Sequence, residues 1–134
     1  MGLREAIQWA KETADLAVVK QVGSPGQLVT NFPCAEVYTN SGEFDNSTVT
    51  GRLGFESHVI SVAFHWPIDG IATNMAEMEE LIEDFMQNVV DNEDDERIVG
   101  VESAIYDAFS GKIQTVQTHG AVFTLTINLE DNRY

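Results

Sequence analysis

The side chains of this sequence that could perform acid–base, nucleophilic or metal chemistry are its three histidines, its single cysteine and a few carboxylates. A zinc or catalytic site needs histidines that converge with carboxylates or a thiol. His58 and His65 fall on opposite faces of one predicted strand, and His119 lies at a predicted bend, so their spacing is not that of a ligand set. Cys34, directly after Pro33, would be a nucleophile only beside a histidine base and an orienting partner. We interpret these four side chains as structural.

Two groups of carboxylates could also bind or activate a ligand. Glu36 and Glu102 lie on predicted strands and would form an acid–base pair if the fold buried them together. The acidic run from Asp91 to Glu96 could offer oxygens to calcium. An EF-hand loop starting at Asp91 requires glycine at its sixth position, where Glu96 stands, although Glu102 fits the twelfth. We interpret the run as a solvated loop, and the sequence predicts no enzyme activity, metal or cofactor.

Composition restricts the class of protein further. The chain has 134 residues with 43% hydrophobic content, which predicts one domain with one core. Its 22 acidic and 7 basic side chains give a formal charge of −15, which disfavours any surface that binds nucleic acid. A single cysteine fits a reducing compartment. The sequence shows neither an apolar run of membrane-spanning length nor a signal-peptide core, so we expect a soluble protein that is not exported.

Residues 74–90 form the clearest predicted element, an amphipathic helix that the rest of the chain must cover. Asn74 and Glu77 have the spacing of a capping box, which predicts that the helix begins there. A sheet must lie beneath this helix, because the burial of its apolar stripe has to offset the cost of ordering the backbone. The stripe consists of Met75, Met78, Leu81, Ile82, Phe85, Met86, Val89 and Val90.

The remaining patterns predict a second helix and several strands. Ser110, Gly111 and Lys112 predict the turn of a final hairpin, and residues 40–57 predict an extended hairpin or arm. These elements predict an α+β fold in a single domain over residues 1–134, with a mostly antiparallel four- to five-stranded sheet and two helices packed on one face. The predicted helix covers residues 2–20, with a stripe of Leu3, Ile7, Ala10, Ala14, Ala17 and Val18, and the predicted strands cover residues 34–39, 58–66, 98–109 and 113–129.

The order of these elements resembles that of the tail terminator (tail completion) proteins of long-tailed bacteriophages. The resemblance covers residues 3–129 and departs from the family at residues 48–57, which look like extra length in the first hairpin. It is carried by Phe32-Pro33-Cys34-Ala35-Glu36-Val37-Tyr38, by Val62-Ala63-Phe64-His65-Trp66-Pro67 and by Phe123-Thr124-Leu125-Thr126-Ile127.

The resemblance implies a structural virion protein that is not an enzyme. Such a protein forms a homohexameric ring that caps the tail tube, ends its polymerisation and joins the tail to the head. Its implied partners are further copies of the chain, the tail tube protein and a head–tail neck protein. DNA passes through the ring without specific binding, which an acidic lining would favour. The implied location is the head-proximal end of the virion tail, after assembly in the host cytoplasm.

Four residues of the predicted arm are our candidates for contacts with a neighbouring subunit or with the tube. Phe44 and Phe55 are apolar residues in otherwise polar hairpin sequence, and Glu43 and Arg52 lie beside them along the chain. Anchoring of the arm to its own core is the alternative role for the two phenylalanines.

Two alternative functions remain open from the sequence. A neck or head-completion connector protein would share the ring and the passage of DNA. A small α+β ligand-binding domain or acid–base enzyme would instead use the Met-rich helix over the sheet as a pocket. An apolar cavity that holds a histidine and a carboxylate with a strongly shifted pKa would favour the last of these.

Overall fold

The computed structural model describes residues 3–17, 19–25, 32–44, 54–68, 71–113 and 115–131. These residues form two helices and five strands, and the α+β class predicted from the sequence is confirmed. The elements are α1 (Leu3–Asp15), β1 (Gln21–Gly23), β2 (Cys34–Phe44), β3 (Gly54–Pro67), α2 (Ile71–Asn92), β4 (Gly100–Ile113) and β5 (Val116–Asp131).

The strands form one mixed sheet in the order β1-β2-β3-β5-β4. Only the short pair of β1 and β2 is parallel, and the other neighbouring strands are antiparallel. β3 and β5 lie at the centre of the sheet. Along β5, buried and half-buried side chains alternate from Ala121 to Leu129, whereas Ile60 to Trp66 of β3 are buried on both faces. The sheet is therefore mostly antiparallel, as expected.

One face of the sheet and both helices enclose the main core. Phe64 of β3 and Phe123 of β5 pack edge-on against each other, with ring centroids 5.7 Å apart. Phe85 of α2 lies over both, at 5.0 Å from Phe64 and 4.6 Å from Phe123. Such aromatic pairs add stability beyond the area they bury, so this triad attaches α2 to the two central strands.

Helix α2 differs from its predicted form at its start and along its stripe. The helix begins at Ile71, three residues before Asn74, so the predicted capping box does not mark its first turn. Met75 and Val90 were expected in the stripe but are exposed. Val90 directly follows the buried Val89, and a helix turns by about 100° per residue, which rotates Val90 away from the sheet.

The two helices contact each other through a side chain that the predicted stripe of the first helix omitted. The indole nitrogen of Trp9, a buried residue of α1, donates a 2.8 Å hydrogen bond to the carbonyl oxygen of Asn92, the last residue of α2. This bond satisfies one of the carbonyl groups that a helix end leaves without a partner in the helix. No helix among the described residues has the length and apolar content needed to cross a membrane.

The strands also differ from the prediction at three places. Residues 21–23, where no strand was predicted, form β1 beside the start of β2. Ser110, Gly111 and Lys112 pair with β5 instead of turning, and the hairpin closes after Ile113, which pairs with Val116. A β-bulge between Val101 and Ser103 shifts the register of β4. The bulge adds one residue to β4, so Val101 lies on the opposite face of the sheet from Ile105 and Phe109, although their odd numbers alone would place all three on one face.

Candidate functional site

His65 is the centre of a polar cluster on the sheet face opposite the helices. Its Nδ1 lies 2.8 Å from the hydroxyl oxygen of Thr118 on β5, and its Nε2 lies 2.8 Å from Oε1 of Glu36 on β2. The cluster therefore connects three adjacent strands through one imidazole. His65 is only 2% exposed, so its nitrogens cannot bond to bulk water. The two hydrogen bonds within the protein satisfy them instead.

The surroundings of His65 favour its neutral form. Burial lowers the pKa of the imidazole, although the hydrogen bond and the charge of Glu36 act in the opposite direction. A neutral imidazole has one donor and one acceptor nitrogen. In this arrangement Nε2–H donates to the Glu36 carboxylate and Nδ1 accepts the Thr118 hydroxyl proton. Both nitrogens are used, so neither is available as a general base for another group.

Cys34 lies directly opposite His65 in the antiparallel register of β2 and β3. Its thiol is fully buried, and burial, with a smaller contribution from the charge of Glu36, raises its pKa to about 11. A thiolate is the nucleophilic form of cysteine, and this environment keeps the group protonated. The structure thus places Cys34, His65 and Glu36 together but does not form a nucleophile–base pair.

His65 and Thr118 of this cluster are buried although neither described helix packs on their face of the sheet. The ring of Phe109 on β4 lies edge-on to the imidazole of His65, with centroids 5.0 Å apart. Phe109 reaches that position by crossing Gly120, its partner residue on β5. A Cβ atom at Gly120 would lie 3.2 Å from the Phe109 ring and would overlap the carbonyl oxygen of Phe64. The glycine therefore allows Phe109 to cover the histidine.

The other two histidines lie on the helix-facing side of the sheet. His58 is buried beside Glu56, with 3.0 Å between Nε2 and Oε1. His119 is buried near Trp66, its partner residue on β3, with ring centroids 6.5 Å apart. His58 and His65 thus occupy opposite faces of β3, as their odd spacing predicted.

The predicted carboxylate sites do not assemble. Glu102 is exposed at the bulge of β4, whereas Glu36 lies on β2, and β3 and β5 separate the two strands. In the acidic run, Asp95 accepts hydrogen bonds from the backbone and guanidinium of Arg97, which also binds Glu12 on α1. The Arg97 hydrogen bonds hold the pKa values of both carboxyls below their usual range. Within the described ranges, no group of three histidine, cysteine or acidic residues could hold a metal ion.

The predicted contact residues lie at or beyond the far end of the first hairpin. The backbone of Glu43 and Phe44 belongs to β2, where these residues pair with Ser57 and Glu56 of β3. Phe55 belongs to β3 and pairs with Glu130 of β5. Arg52 lies outside the described residues, as do all of residues 45–53. The predicted arm is thus described only up to the last paired residues of its two strands.

The sheet has two open edges among the residues that the structure describes. β4 pairs only with β5, which leaves the other side of a 14-residue strand without a partner strand. On the opposite side of the sheet, β1 pairs with Cys34, Ala35 and Glu36 alone, so residues 37–44 of β2 have no described neighbour there. Unpaired backbone groups of this kind are a template for pairing with another chain.

Exposed apolar side chains accompany the β4 edge. Ile105 and Tyr106 point to opposite faces of β4, and both are more than half exposed, as is Val99 just before the strand. Tyr106 contacts Phe123 at its ring, with centroids 5.7 Å apart, yet 53% of its surface is exposed. The sequence did not reveal this surface because the bulge at Glu102 decides which side chains lie on each face.

Comparison with known proteins adds no further assignment. No protein-family model matches the chain, and the curated proteins include no match to it.

Proposed function

We propose that this chain is a ring-forming structural protein of a long-tailed bacteriophage that acts as a tail terminator. In this role, six copies form a ring that caps the tail tube, stops its polymerisation and joins the tail to the head through a neck protein. The resemblance of the sequence to that family motivates the proposal. The observation that supports it best is the pair of open sheet edges on opposite sides of the molecule.

The directions of the strands suit head-to-tail pairing of these edges. Every neighbouring pair from β2 through β3 and β5 to β4 is antiparallel, so β2 and β4 run in opposite directions. When a second copy continues the same sheet, its β2 edge meets the β4 edge of the first copy as an antiparallel pair. The two contact surfaces are different, which makes the interface heterologous. A heterologous interface produces a closed ring when its rotation closes.

The charge of the chain suits the passage of DNA through such a ring. A net charge of −15 per copy gives a six-membered ring a strongly negative field. Phosphates are repelled by that field, so the genome would move through the ring without being held. The ring is thus proposed to carry DNA past its subunits and not to bind it.

The geometry favours this assembly role over an acid–base enzyme. The enzyme alternative called for an apolar cavity that holds a histidine and a carboxylate. His65 and Glu36 meet instead on the sheet face, with both imidazole nitrogens bonded. The cleft beside α2, whose described lining includes Trp66 and Leu81, has no histidine in that lining.

Oligomeric state tests the proposal directly. We expect light scattering and native mass spectrometry of the purified protein to give a particle six times the 14.8 kDa of one chain. Negative-stain images should show rings with a central opening. A protein that remains strictly monomeric at all accessible concentrations would contradict the proposal.

A pair of matched variants tests the role of the β4 edge. Ile105→Lys places a charge on the proposed interface and should convert rings to monomers, because a buried unpaired charge is costly. Leu16→Lys is the control, since Leu16 lies just after α1 and is 63% exposed, against 60% for Ile105. The control should retain the rings. Rings that survive Ile105→Lys unchanged would exclude this edge as the interface.

A further inference from the structure

A cleft separate from both sheet edges lies between α2 and the segments that precede β2 and follow β3. Its volume is about 470 Å³, which is in the usual range of ligand sites. The apolar part of its lining comes from Phe32, Pro33, Trp66, Pro67 and Leu81. Phe32, Pro33 and Pro67 are half-buried, so they still offer apolar surface to an occupant.

One wall of the cleft is acidic because of the spacing of carboxylates along α2. Glu77, Glu80 and Asp84 recur at three- and four-residue intervals, which places them on one side of the helix above the buried Leu81. Glu77 also accepts a 3.3 Å hydrogen bond from the indole nitrogen of Trp66. Among the described residues that line the cleft, Lys20 is the only basic one. The cleft therefore combines an apolar floor with an excess of negative charge.

The carboxylates of this wall form no ion pair within the described part of the molecule. The sequence of α2 contains no lysine or arginine. The ion pairs formed among the described residues involve Glu12, Glu36, Glu56 and Asp95, and none involves the cleft. Glu80 and Asp84 are exposed and lie where a cation entering the cleft would approach.

We infer that this cleft binds a segment of a partner protein that presents an arginine or lysine beside an apolar side chain. The long aliphatic stem of a basic side chain covers apolar surface while its charged head remains near carboxylates. The acidic wall attracts such a segment and repels an acidic one. A second copy of this chain is a poor occupant, because it brings 22 acidic and only 7 basic side chains. The inference does not depend on ring formation.

Peptide titration followed by NMR tests the inference. The probe is the capped peptide acetyl-Gly-Leu-Arg-Leu-Gly-amide, and its control replaces arginine with citrulline, which has a similar shape but no charge. We expect the arginine peptide to shift the signals of the Trp66 indole and of Leu81, and to bind at least threefold more tightly than the citrulline peptide. Equal binding of the two peptides, or shifts only at other surfaces, would overturn the inference.

Two double variants with the same change in charge distinguish binding in the cleft from attraction by the overall negative charge of α2. Glu80→Gln with Asp84→Asn removes two carboxylates from the wall. Glu79→Gln with Glu83→Gln removes two exposed carboxylates of α2 that do not line the cleft. The first double variant should weaken binding of the arginine peptide by roughly three- to tenfold, the range expected for two exposed ion pairs, and the second by less than about twofold.

Each possible result of comparing the two double variants has a different meaning for the cleft. An equal loss in both double variants would mean that long-range attraction by the whole helix, and not the cleft, binds the peptide. A change in oligomeric state only when the wall is altered would assign the cleft to a second copy and overturn the partner proposed here. Failure of the protein to form rings would leave the expected peptide result unchanged.

Discussion

His65 lies beside groups typical of a catalytic site, but its contacts indicate a structural role. A histidine, a carboxylate and a cysteine meet on one face of the sheet, but the imidazole has already used both nitrogens on Glu36 and Thr118. The thiol of Cys34 is buried and its pKa is raised. The thiol is therefore held in its unreactive protonated form, and the imidazole has no nitrogen left for another group. The contribution of the cluster is to hold β2, β3 and β5 in register.

The hydrogen bond from Thr118 to His65 gives the first prediction. Thr118→Val keeps the shape of the side chain but leaves the buried Nδ1 without a donor, which should lower the free energy of unfolding by about 1–3 kcal/mol. Thr124→Val, at a half-buried threonine on the same strand and face, should change it by less than about 0.5 kcal/mol. Urea unfolding of both variants measures the difference. Equal effects would mean that the bond to His65 contributes no specific stability.

The pKa of His65 predicts a pH dependence with a definite sign. Burial lowers that pKa in the folded protein, so the unfolded chain takes up the proton first as the pH falls. The stability that neutral His65 contributes is complete above the unfolded value of about 6.5 and declines as the pH falls below it. The difference in unfolding free energy between the wild type and His65→Asn should therefore shrink between pH 7.5 and 5.5. A difference that grows over this range would contradict a lowered pKa.

At the scale of elements, the sheet covers its two faces by different means. Both helices pack on one face, where Phe64, Phe85 and Phe123 form the centre of the core. On the other face, β4 supplies the cover itself, because Phe109 crosses Gly120 to reach His65. A strand that covers its neighbours in this way needs close approach of the backbone, which is one of the roles of glycine in a sheet.

Gly120 therefore gives a prediction about the packing of strands. Gly120→Ala should lower the free energy of unfolding by about 2 kcal/mol or more, because the added Cβ would overlap the carbonyl oxygen of Phe64. Gly100→Ala is the matched control, since a Cβ there meets no atom within 4 Å. The control should be neutral or stabilising by less than about 1 kcal/mol. Thermal and urea unfolding measure both, and a Gly120→Ala protein as stable as the control would exclude the close contact.

At the scale of the whole molecule, charge opposes the self-association that the open edges favour. Each copy carries a formal charge of −15, so neighbouring copies repel one another through solvent. Interfaces between copies in the proposed ring would therefore obtain their stability from backbone pairing and apolar contact, for which β4 with Ile105 and Tyr106 offers a surface. The proposed ring, being acidic, would also be poorly suited to bind nucleic acid.

This balance predicts that added salt strengthens the ring. Salt shortens the range of repulsion, from a Debye length of about 30 Å at 0.01 M to about 8 Å at 0.15 M. The fraction of protein in rings should rise as sodium chloride increases from about 0.01 to 0.3 M, as measured by sedimentation velocity at a fixed protein concentration. Rings that dissociate as salt increases would show that ion pairs between copies, and not backbone and apolar contacts, hold the interface.

Local patterns in the sequence determined the class of fold and most of the central core. Alternation along residues 58–66 identified β3, and the spacing of Met78, Leu81, Phe85 and Val89 identified the buried side of α2. These signals are readable because each depends only on the repeat of one helix or strand. The same reasoning separated His58 from His65 by face. The composition alone also gave the net charge of −15, which disfavours functions that bind nucleic acid.

Contacts between residues distant in the chain decided the rest. Cys34, Glu36 and His65 meet because the register of β2 against β3 places them together, and the single-residue bulge at Glu102 determines that Phe109 covers His65. Neither register nor a bulge has a local signal, since both depend on which arrangement buries the most apolar surface across the sheet. The open edges and the acidic cleft likewise exist only once the strand order is set, and they are the surfaces on which the proposed assembly and binding depend.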